Sequence, residues 1–421
     1  MRPLDKRWSR DWGRQHHRGP SRGVLLGLVS LIVVLALLFG VVQLFVRSTP
    51  SVRYVPSVSS SFVVPGAPPA LPFPKVGEAT VGVLGVGTMG SSGGDASMPI
   101  ASLTKMMTAY VILADHPLAE GQQGPLIGIS AEDVNIEAAD ASVGQSVVKV
   151  AAGEQLSELQ CLEALLVGSA NNIGTVLARW DAGSIPAFVA RLNAKAATLG
   201  MKATHYADPT GVNAASVSSA SDQVALAQVA MENPVFAAIV GLAQIDLPVA
   251  GTVFNYDFLV GHNGVVGIKT GSTTQAGGCF VFAAIRSVGG APVAIIGAVI
   301  GQRGRSILQA ALDASLALIN AAAAAVHPVT VTLPNGGVIG QLEAPWAPSD
   351  PVVAGGTWST LGWGGLRIGV HTSLGPTPSG VADGAHLGTV TLSLAHQTHT
   401  FTAVAQRPLG RPSLSWRLKR F

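Results

Sequence analysis

Ser102 and Lys105 stand three residues apart in the stretch Pro99-Ile100-Ala101-Ser102-Leu103-Thr104-Lys105-Met106-Met107-Thr108-Ala109. If that stretch is helical, the spacing puts hydroxyl and amine on one face, within reach of each other. A serine hydroxyl is a poor nucleophile until a neighbouring base takes its proton, and a lysine held neutral can do so. A helix opening at Ser102 would also aim backbone N–H groups and the positive end of its dipole at whatever the hydroxyl attacks. The pair points to acyl transfer through a covalent ester. Ser146-Val147-Val148-Lys149 repeats the spacing, but it lies in a β-branched run between Gly144 and Gly153 that predicts a short strand. Residues three apart on a strand face opposite sides, so Ser146 and Lys149 are not expected to cooperate.

An activated serine also needs a relay for the leaving-group proton and a cation for the negative end of the substrate. Ser169-Ala170-Asn171, after a helical pattern over Leu156–Val167, offers two polar side chains that an irregular turn can aim into one cleft. The competing reading is an ordinary cap or turn, where both residue types are favoured. Lys269-Thr270-Gly271 offers the cation. The chain has eight lysines, and one inside an apolar strand pattern fits an edge strand beside a cleft. Gly271 would let a ligand approach the backbone. A solvent-facing strand position is the plainer alternative for this triplet alone.

The elements that must hold these groups alternate in type. Ala79–Leu84 reads as a strand; helical runs follow at 102–114, 156–167, 185–199 and 221–231; Val265–Gly271, Cys279–Arg286 and Pro292–Ile300 read as strands; an alanine-rich helix closes the region at 305–325. That order predicts a mixed α/β domain with one antiparallel sheet. From about 328 the helical pattern is lost. Val329–Leu333, the Pro334-Asn335-Gly336-Gly337 turn, Leu387–Leu392 and Thr398–Val404 predict a small all-β domain.

In the order Ser-x-x-Lys, Ser-x-Asn, Lys-Thr-Gly, the three motifs resemble those of the serine D-alanyl-D-alanine carboxypeptidases, the low-molecular-weight penicillin-binding proteins. Leu199-Gly200-Met201-Lys202-Ala203-Thr204-His205-Tyr206, Asp208-Pro209-Thr210-Gly211 and Gly267-Ile268-Lys269-Thr270-Gly271 carry the likeness further. It covers about 77–325 and implies a β-lactamase/transpeptidase-like domain with an antiparallel sheet and a helical subdomain. By this resemblance Ser102 is the nucleophile and Lys105 its base, while Ser169 and Asn171 shuttle the proton and hold the substrate amide. Lys269 and Thr270 bind the terminal carboxylate beside Gly271, and the N–H groups of Ser102 and Ser272 form the oxyanion hole. Arg305 matches an arginine that assists carboxylate binding. Two lysines near one cleft would also disfavour each other's charge, easing Lys105 towards its basic form. The implied partners are a peptidoglycan stem peptide ending in D-Ala-D-Ala and β-lactam antibiotics. No cofactor is implied, and no Cys/His cluster has metal-ligand spacing. A β-lactamase shares the motifs, but class A enzymes need a glutamate after the second motif, and there is none between Glu163 and Glu232. A non-catalytic cell-wall-binding module would have lost Ser102 or a lysine, and none is lost. An endopeptidase or transpeptidase would differ only in what the acyl group comes from or goes to. Ala170 stands where the family usually has glycine, and Asn172 where aspartate is common.

The 421-residue chain has a formal charge of +3, but residues 1–22 carry seven Lys/Arg against two Asp, so the remainder is mildly acidic. A nucleic-acid surface on the main body is thereby disfavoured. Val24–Val46 is an uncharged run whose rise, roughly 35 Å as a helix, crosses a bilayer. The arginines before it predict a cytoplasmic N-terminus and an extracellular catalytic domain on a bacterial cell membrane. A cleaved signal peptide needs a shorter apolar core and a small-x-small site, and none is convincing between Leu38 and Pro50. The expected division is 1–22 basic cytoplasmic segment, 23–46 transmembrane anchor, 47–75 Pro/Ser-rich linker holding the domain off the membrane, 76–326 serine peptidase domain and 327–421 β domain. Cys161 and Cys279 read as buried free thiols rather than a disulfide. The basic, aromatic end Leu414–Phe421 is expected either to touch a membrane surface or to be a solvated tail.

Overall fold

The computed structural model describes residues 21–395 and 397–420; all but Ser21 and Arg22 of the basic segment lie outside the described residues. The apolar run forms a helix, Arg22–Val41, that continues as a π-helical stretch, Val42–Val46. It is long and apolar enough to cross a membrane, and none of its most apolar window is buried. A helix apolar on every face has no polar side to give to water, which is the physical case for lipid around it.

The part of the chain that carries the three motifs is built on a five-stranded antiparallel sheet in the order Val265–Thr273, Gly277–Val288, Ala291–Gln302, Glu78–Val83, Gly87–Ser92. The strand Gly277–Val288 shows why its sequence is apolar without alternation. Cys279, Val281 and Ala283 enter one core with Leu103, Met106 and Met107, whereas Phe280, Phe282 and Ala284 enter another with Leu312, Leu318 and Ile319. Successive side chains point to opposite faces, and here both faces are covered. The helix Ile307–Ala325 covers one of them, burying Ala311, Leu312, Leu318, Ile319 and Ala322. That helix is also long and apolar enough to span a membrane, but its apolar stripe is already spent on the sheet.

Helices at Glu158–Leu166, Ile185–Thr198 and Ala220–Ala230 fall where the sequence places them. Ala131–Ser142, Asn171–Ala182 and Pro234–Val240 are additional. Ala131–Ser142 is started by a reciprocal cap in which Ser130 and Asp133 satisfy each other's backbone N–H groups. Cys161 and Cys279 are buried and unbridged.

A second sheet has seven strands in the order Arg53–Pro56, Val338–Ala344, Ala347–Ala354, Gln397–Ala405, His386–Leu394, Arg367–Leu374, Ser61–Val63. Both edge strands come from residues 47–75. Arg53–Pro56 pairs with Val338–Ala344 in the register Tyr54↔Leu342, and Ser61–Val63 pairs with Arg367–Gly369. The stretch expected to be a free linker is therefore part of the β fold. Its valines decide this: Val52 and Val64 are buried in the β core, and proline is tolerated at sheet edges, where a missing N–H costs no ladder bond. The other end of the chain closes back on the same place. The short helix Leu414–Lys419 leads to Arg420, whose guanidinium donates to the carbonyls of Gln43 (2.9 Å) and Ser48 (2.9 Å).

Candidate active site

Ser102 sits in a 3-10 turn, Ala101–Leu103, that runs directly into the helix Thr104–Asp115. The Lys105 Nζ donates to Ser102 Oγ at 2.8 Å and to the Thr210 carbonyl at 3.0 Å. Lys105 is fully buried, and burial, then the charge of Lys269, hold its pKa well below the ordinary lysine value; Asp208 and Asp140 pull the other way. Nothing in the motif text singles out Asp208 as a scaffold residue, yet its carboxylate gathers the N–H groups of Thr210 (2.9 Å), Gly211 and Asn213, and so shapes the turn that presents the Thr210 carbonyl. Thr108 Oγ1, one turn beyond Lys105, donates to the Pro209 carbonyl at 2.6 Å and ties that turn to the helix.

Two glycines allow the Ser102 turn to be approached. Gly211 has φ +81°, and a Cβ there would lie 1.8 Å from the Ala101 carbonyl oxygen. A Cβ on Gly271 would lie 3.0 Å from the Ser102 nitrogen and 3.1 Å from the Ile100 carbonyl oxygen. The strand carrying Lys269-Thr270-Gly271 therefore lies so close to the serine turn that a side chain at 271 would push one of them back by a few tenths of an ångström.

That strand, Val265–Thr273, is the edge of the five-stranded sheet. Lys269, Thr270 and Gly271 pair on one side with Val281, Phe280 and Cys279. Lys269 is fully buried, and its Nζ donates to the Thr270 carbonyl at 3.1 Å. Burial lowers its pKa to about 7, against the opposing pull of Asp257. Ser272 is exposed. Arg305 is exposed and makes no hydrogen bond among the described residues. Arg303 does: it donates to the carbonyls of Thr274 (2.7 Å) and Gln275 (2.8 Å), bracing the turn after Ser272.

Ser169 and Ala170 lead into the helix Asn171–Ala182, which packs on Thr104–Asp115. Ser169 has φ +53°. The cap position is Ala170, with no side-chain cap bond, so neither polar residue of the triplet is a conventional cap. Asn171 donates from Nδ2 to Gln145 Oε1 at 2.7 Å and from its backbone to the Ser146 carbonyl at 2.8 Å, leaving Oδ1 buried without a partner. Among the described residues no hydrogen bond runs from this turn to Ser102 or Lys105. Ser146–Lys149 is not a strand. Its backbone is taken up instead by Asn171 and by Asn172, which donates to the Val148 carbonyl and accepts from the Val148 nitrogen. Val148 is buried and Lys149 exposed, so this Ser-x-x-Lys is a strap behind the Asn171 turn. Among the described residues no group of His, Cys, Asp or Glu could hold a metal.

The family model of peptidase S11, D-alanyl-D-alanine carboxypeptidase, matches residues 89–303, which contain every group described above except Arg305. The chain belongs to this family. Among its relatives, the D-alanyl-D-alanine carboxypeptidase DacB2 of Mycobacterium tuberculosis is 33% identical over 195 residues, which is 45% of this chain and 62% of that protein. The crystal structure of the Streptomyces K15 DD-transpeptidase superposes with a TM-score of 0.54 at 25% identity, covering 62% of this chain and 100% of that one. Penicillin-binding protein 5 from Haemophilus influenzae superposes with a TM-score of 0.59 over 82% of this chain and 100% of that one; at 19% identity the likeness is one of fold.

Proposed function

We propose that this chain is a membrane-anchored serine carboxypeptidase that removes the last D-alanine from peptidoglycan stem peptides ending in D-Ala-D-Ala. The observation that carries the reading is the 2.8 Å contact from Lys105 Nζ to Ser102 Oγ, made by a buried lysine whose neutral form is favoured. In that form Lys105 takes the hydroxyl proton as Oγ attacks the penultimate carbonyl carbon. The N–H groups of Ser102 and Ser272 receive the oxyanion. Ser169 passes a proton to the amide nitrogen and is reprotonated with the one Lys105 took, the C–N bond breaks, and D-alanine leaves. Water then attacks the Ser102 ester, releasing the shortened peptide as a carboxylic acid and returning the proton to Oγ. Lys269 and Thr270, with Arg305 farther out, take the terminal carboxylate. The unpartnered Asn171 Oδ1 suits a substrate amide N–H. An edge strand beside the serine suits an extended peptide, which can add to it as a further strand.

A β-lactam would acylate Ser102 in the same way, but its cleaved nitrogen stays tethered to the acyl group, so the ester persists. The cluster of basic residues before Arg22 supports a cytoplasmic N-terminus, with the catalytic domain outside the cell membrane. The test is mass spectrometry of products after the full chain is incubated with a D-Ala-D-Ala pentapeptide. Loss of one alanine is expected; an unchanged peptide overturns the reading. With an amine acceptor added, a peptide–amine adduct in place of hydrolysis would move the activity to that named for the Streptomyces K15 structure.

A further inference from the structure

The chain is only 5% aromatic, yet Phe254, Tyr256 and Phe258 fall within five residues. They are 66%, 43% and 65% exposed, while Asn255 and Asp257 between them are 8% and 3% exposed. Exposed rings alternate with buried polar residues as the strand Gly251–Phe254 gives way to a bend at Tyr256 and a turn at Phe258. The inward face is well held. Asn255 donates from its backbone to the Ala243 carbonyl (2.8 Å) and from Nδ2 to the Leu242 carbonyl (2.9 Å). Its Oδ1 accepts from the Asp257 nitrogen (2.8 Å), and Asp257 Oδ1 accepts from the Leu259 nitrogen (3.0 Å). The three rings are thus carried on a pinned backbone, and fixing them against a ligand costs little further chain entropy.

Their place in the fold is the rim between two of the motifs. The hairpin that leads to them, Gln244–Leu247 with Gly251–Phe254, lies against the turn before Ser169, because a Cβ on Gly168 would sit 2.8 Å from Val253 Cγ1. At its other end the segment runs through a bridge between Val260 and Val265 into the strand of Lys269. Inside the rim, Asp257 lies within the field of Lys269. Between Asp246 and Lys269 the buried Asp257 is the only Asp, Glu, Lys or Arg, so the exposed side chains of the segment itself carry no such charge; Asp246 on the hairpin and Arg286, which donates to the Asn263 carbonyl, flank it.

We propose that Phe254, Tyr256 and Phe258 form a platform for the sugar rings of the glycan strand from which the stem peptide hangs, which makes glycan-attached peptide the substrate class of the adjoining serine. The inference rests on the reading of that site as a peptidoglycan carboxypeptidase. Flat aromatic faces match the apolar faces of pyranose rings, and three such rings stand exposed within five residues. The uncharged side chains of the segment itself suit an uncharged sugar chain. Continuity with the Ser169 turn and the Lys269 strand sets the glycan where its attached peptide can enter the cleft.

The probe is a hexamer of β-1,4-linked N-acetylglucosamine, titrated calorimetrically into the full chain held in zwitterionic lipid nanodiscs. Binding is expected for the unmodified chain, and at least tenfold weaker binding when Phe254→Ser, Tyr256→Ser and Phe258→Ser are combined. Phe254→Trp, Tyr256→Trp and Phe258→Trp together should keep the affinity, which separates loss of rings from loss of fold, as does the melting temperature of each variant. No binding by the unmodified chain, or equal binding by the serine variant, overturns the platform. So does hexamer binding that survives the serine changes while binding to phosphatidylglycerol vesicles, or self-association, is lost; that result would give the face to lipid or to a second copy. Penicillin labelling of Ser102 is read separately on the unmodified chain. Hexamer binding without labelling would sink the enzymatic reading and keep a sugar platform, and labelling without hexamer binding would do the reverse.

Discussion

Lys269 eases Lys105 towards its neutral form: both side chains are buried, and after burial the charge of Lys269 is the main influence lowering the pKa of Lys105. A group that must be unprotonated to act as a base works above its own pKa, so acylation should show an acid limb set by Lys105. Lys269→Gln removes a positive charge and should move that limb to higher pH. If Lys269 anchors the carboxylate as proposed, the rate will fall as well, so the measurement is the position of the limb in a pH profile of penicillin acylation, not its height. An unmoved limb would show that the two lysines are not coupled.

The two Ser-x-x-Lys pairs should separate completely. Ser102→Ala should abolish covalent penicillin labelling, and Lys105→Ala should slow it by about 10²–10⁴-fold, the usual worth of general base catalysis. Lys149→Ala, at an exposed position behind the Asn171 turn, should leave labelling within a small factor of the unmodified chain. Peptide mapping of the acylated protein checks all three, and an adduct on Ser146 would reverse the assignment.

Gly271→Ala tests the close approach of the Lys269 strand. Its Cβ would meet the Ser102 nitrogen at 3.0 Å, so strand or turn must give by a few tenths of an ångström. Geometry at that scale matters far more to acyl transfer than to folding. The acylation rate should fall by more than tenfold with a small change in melting temperature. Gly211→Ala should behave differently. Its φ of +81° and its 1.8 Å approach to the Ala101 carbonyl oxygen predict destabilisation of at least about 1–3 kcal/mol, read by chemical denaturation.

Cutting the chain at Lys75 should damage the β sheet. Both edge strands would be lost, along with buried Val52 and Val64, each worth roughly 1.5–3 kcal/mol of burial. The newly bared neighbours, Val338–Ala344 and Arg367–Leu374, would offer unpaired backbone to other chains. A chain starting at Arg47 should stay monomeric with a higher melting temperature; equal behaviour of the two by calorimetry and light scattering would argue that the strands add nothing.

How much of this could be read in advance depended on the range of the interaction. Ser102 and Lys105 are partners within one helical turn, and the strands around Cys279 and Ile296 announce themselves because burial on both faces makes them apolar throughout. The helix Ala131–Ser142 was hidden for the opposite reason: Asp133 is its only buried side chain, so it has no apolar period to find, though Ser130 and Asp133 had the spacing of a cap. Residues 47–75 misled through composition. Seven prolines suggest an extended spacer, and the segment is extended, but its partners are strands near the other end of the chain, which local composition does not reveal. Ser146–Lys149 has strand-forming residues without a strand, because Asn171 and Asn172 claim the backbone groups a ladder would use. The role of Asp208 is likewise a matter of convergence in space, visible only once three N–H groups are seen around one carboxylate.

The pairing of Arg53–Pro56 into the β sheet shortens the leash between membrane and enzyme. A free spacer over 47–75 could stretch about 100 Å, at 3.3–3.6 Å per residue. With the first strand beginning at Arg53 and the membrane helix ending at Val46, six residues remain, a reach of about 20 Å, and Arg420 ties down part of those. The catalytic centre is consequently held on a short tether instead of sweeping the wider volume a free spacer would allow. In the proposed orientation it would work on one thin layer of cell wall, and lengthening the six-residue gap would be the way to move that layer outward.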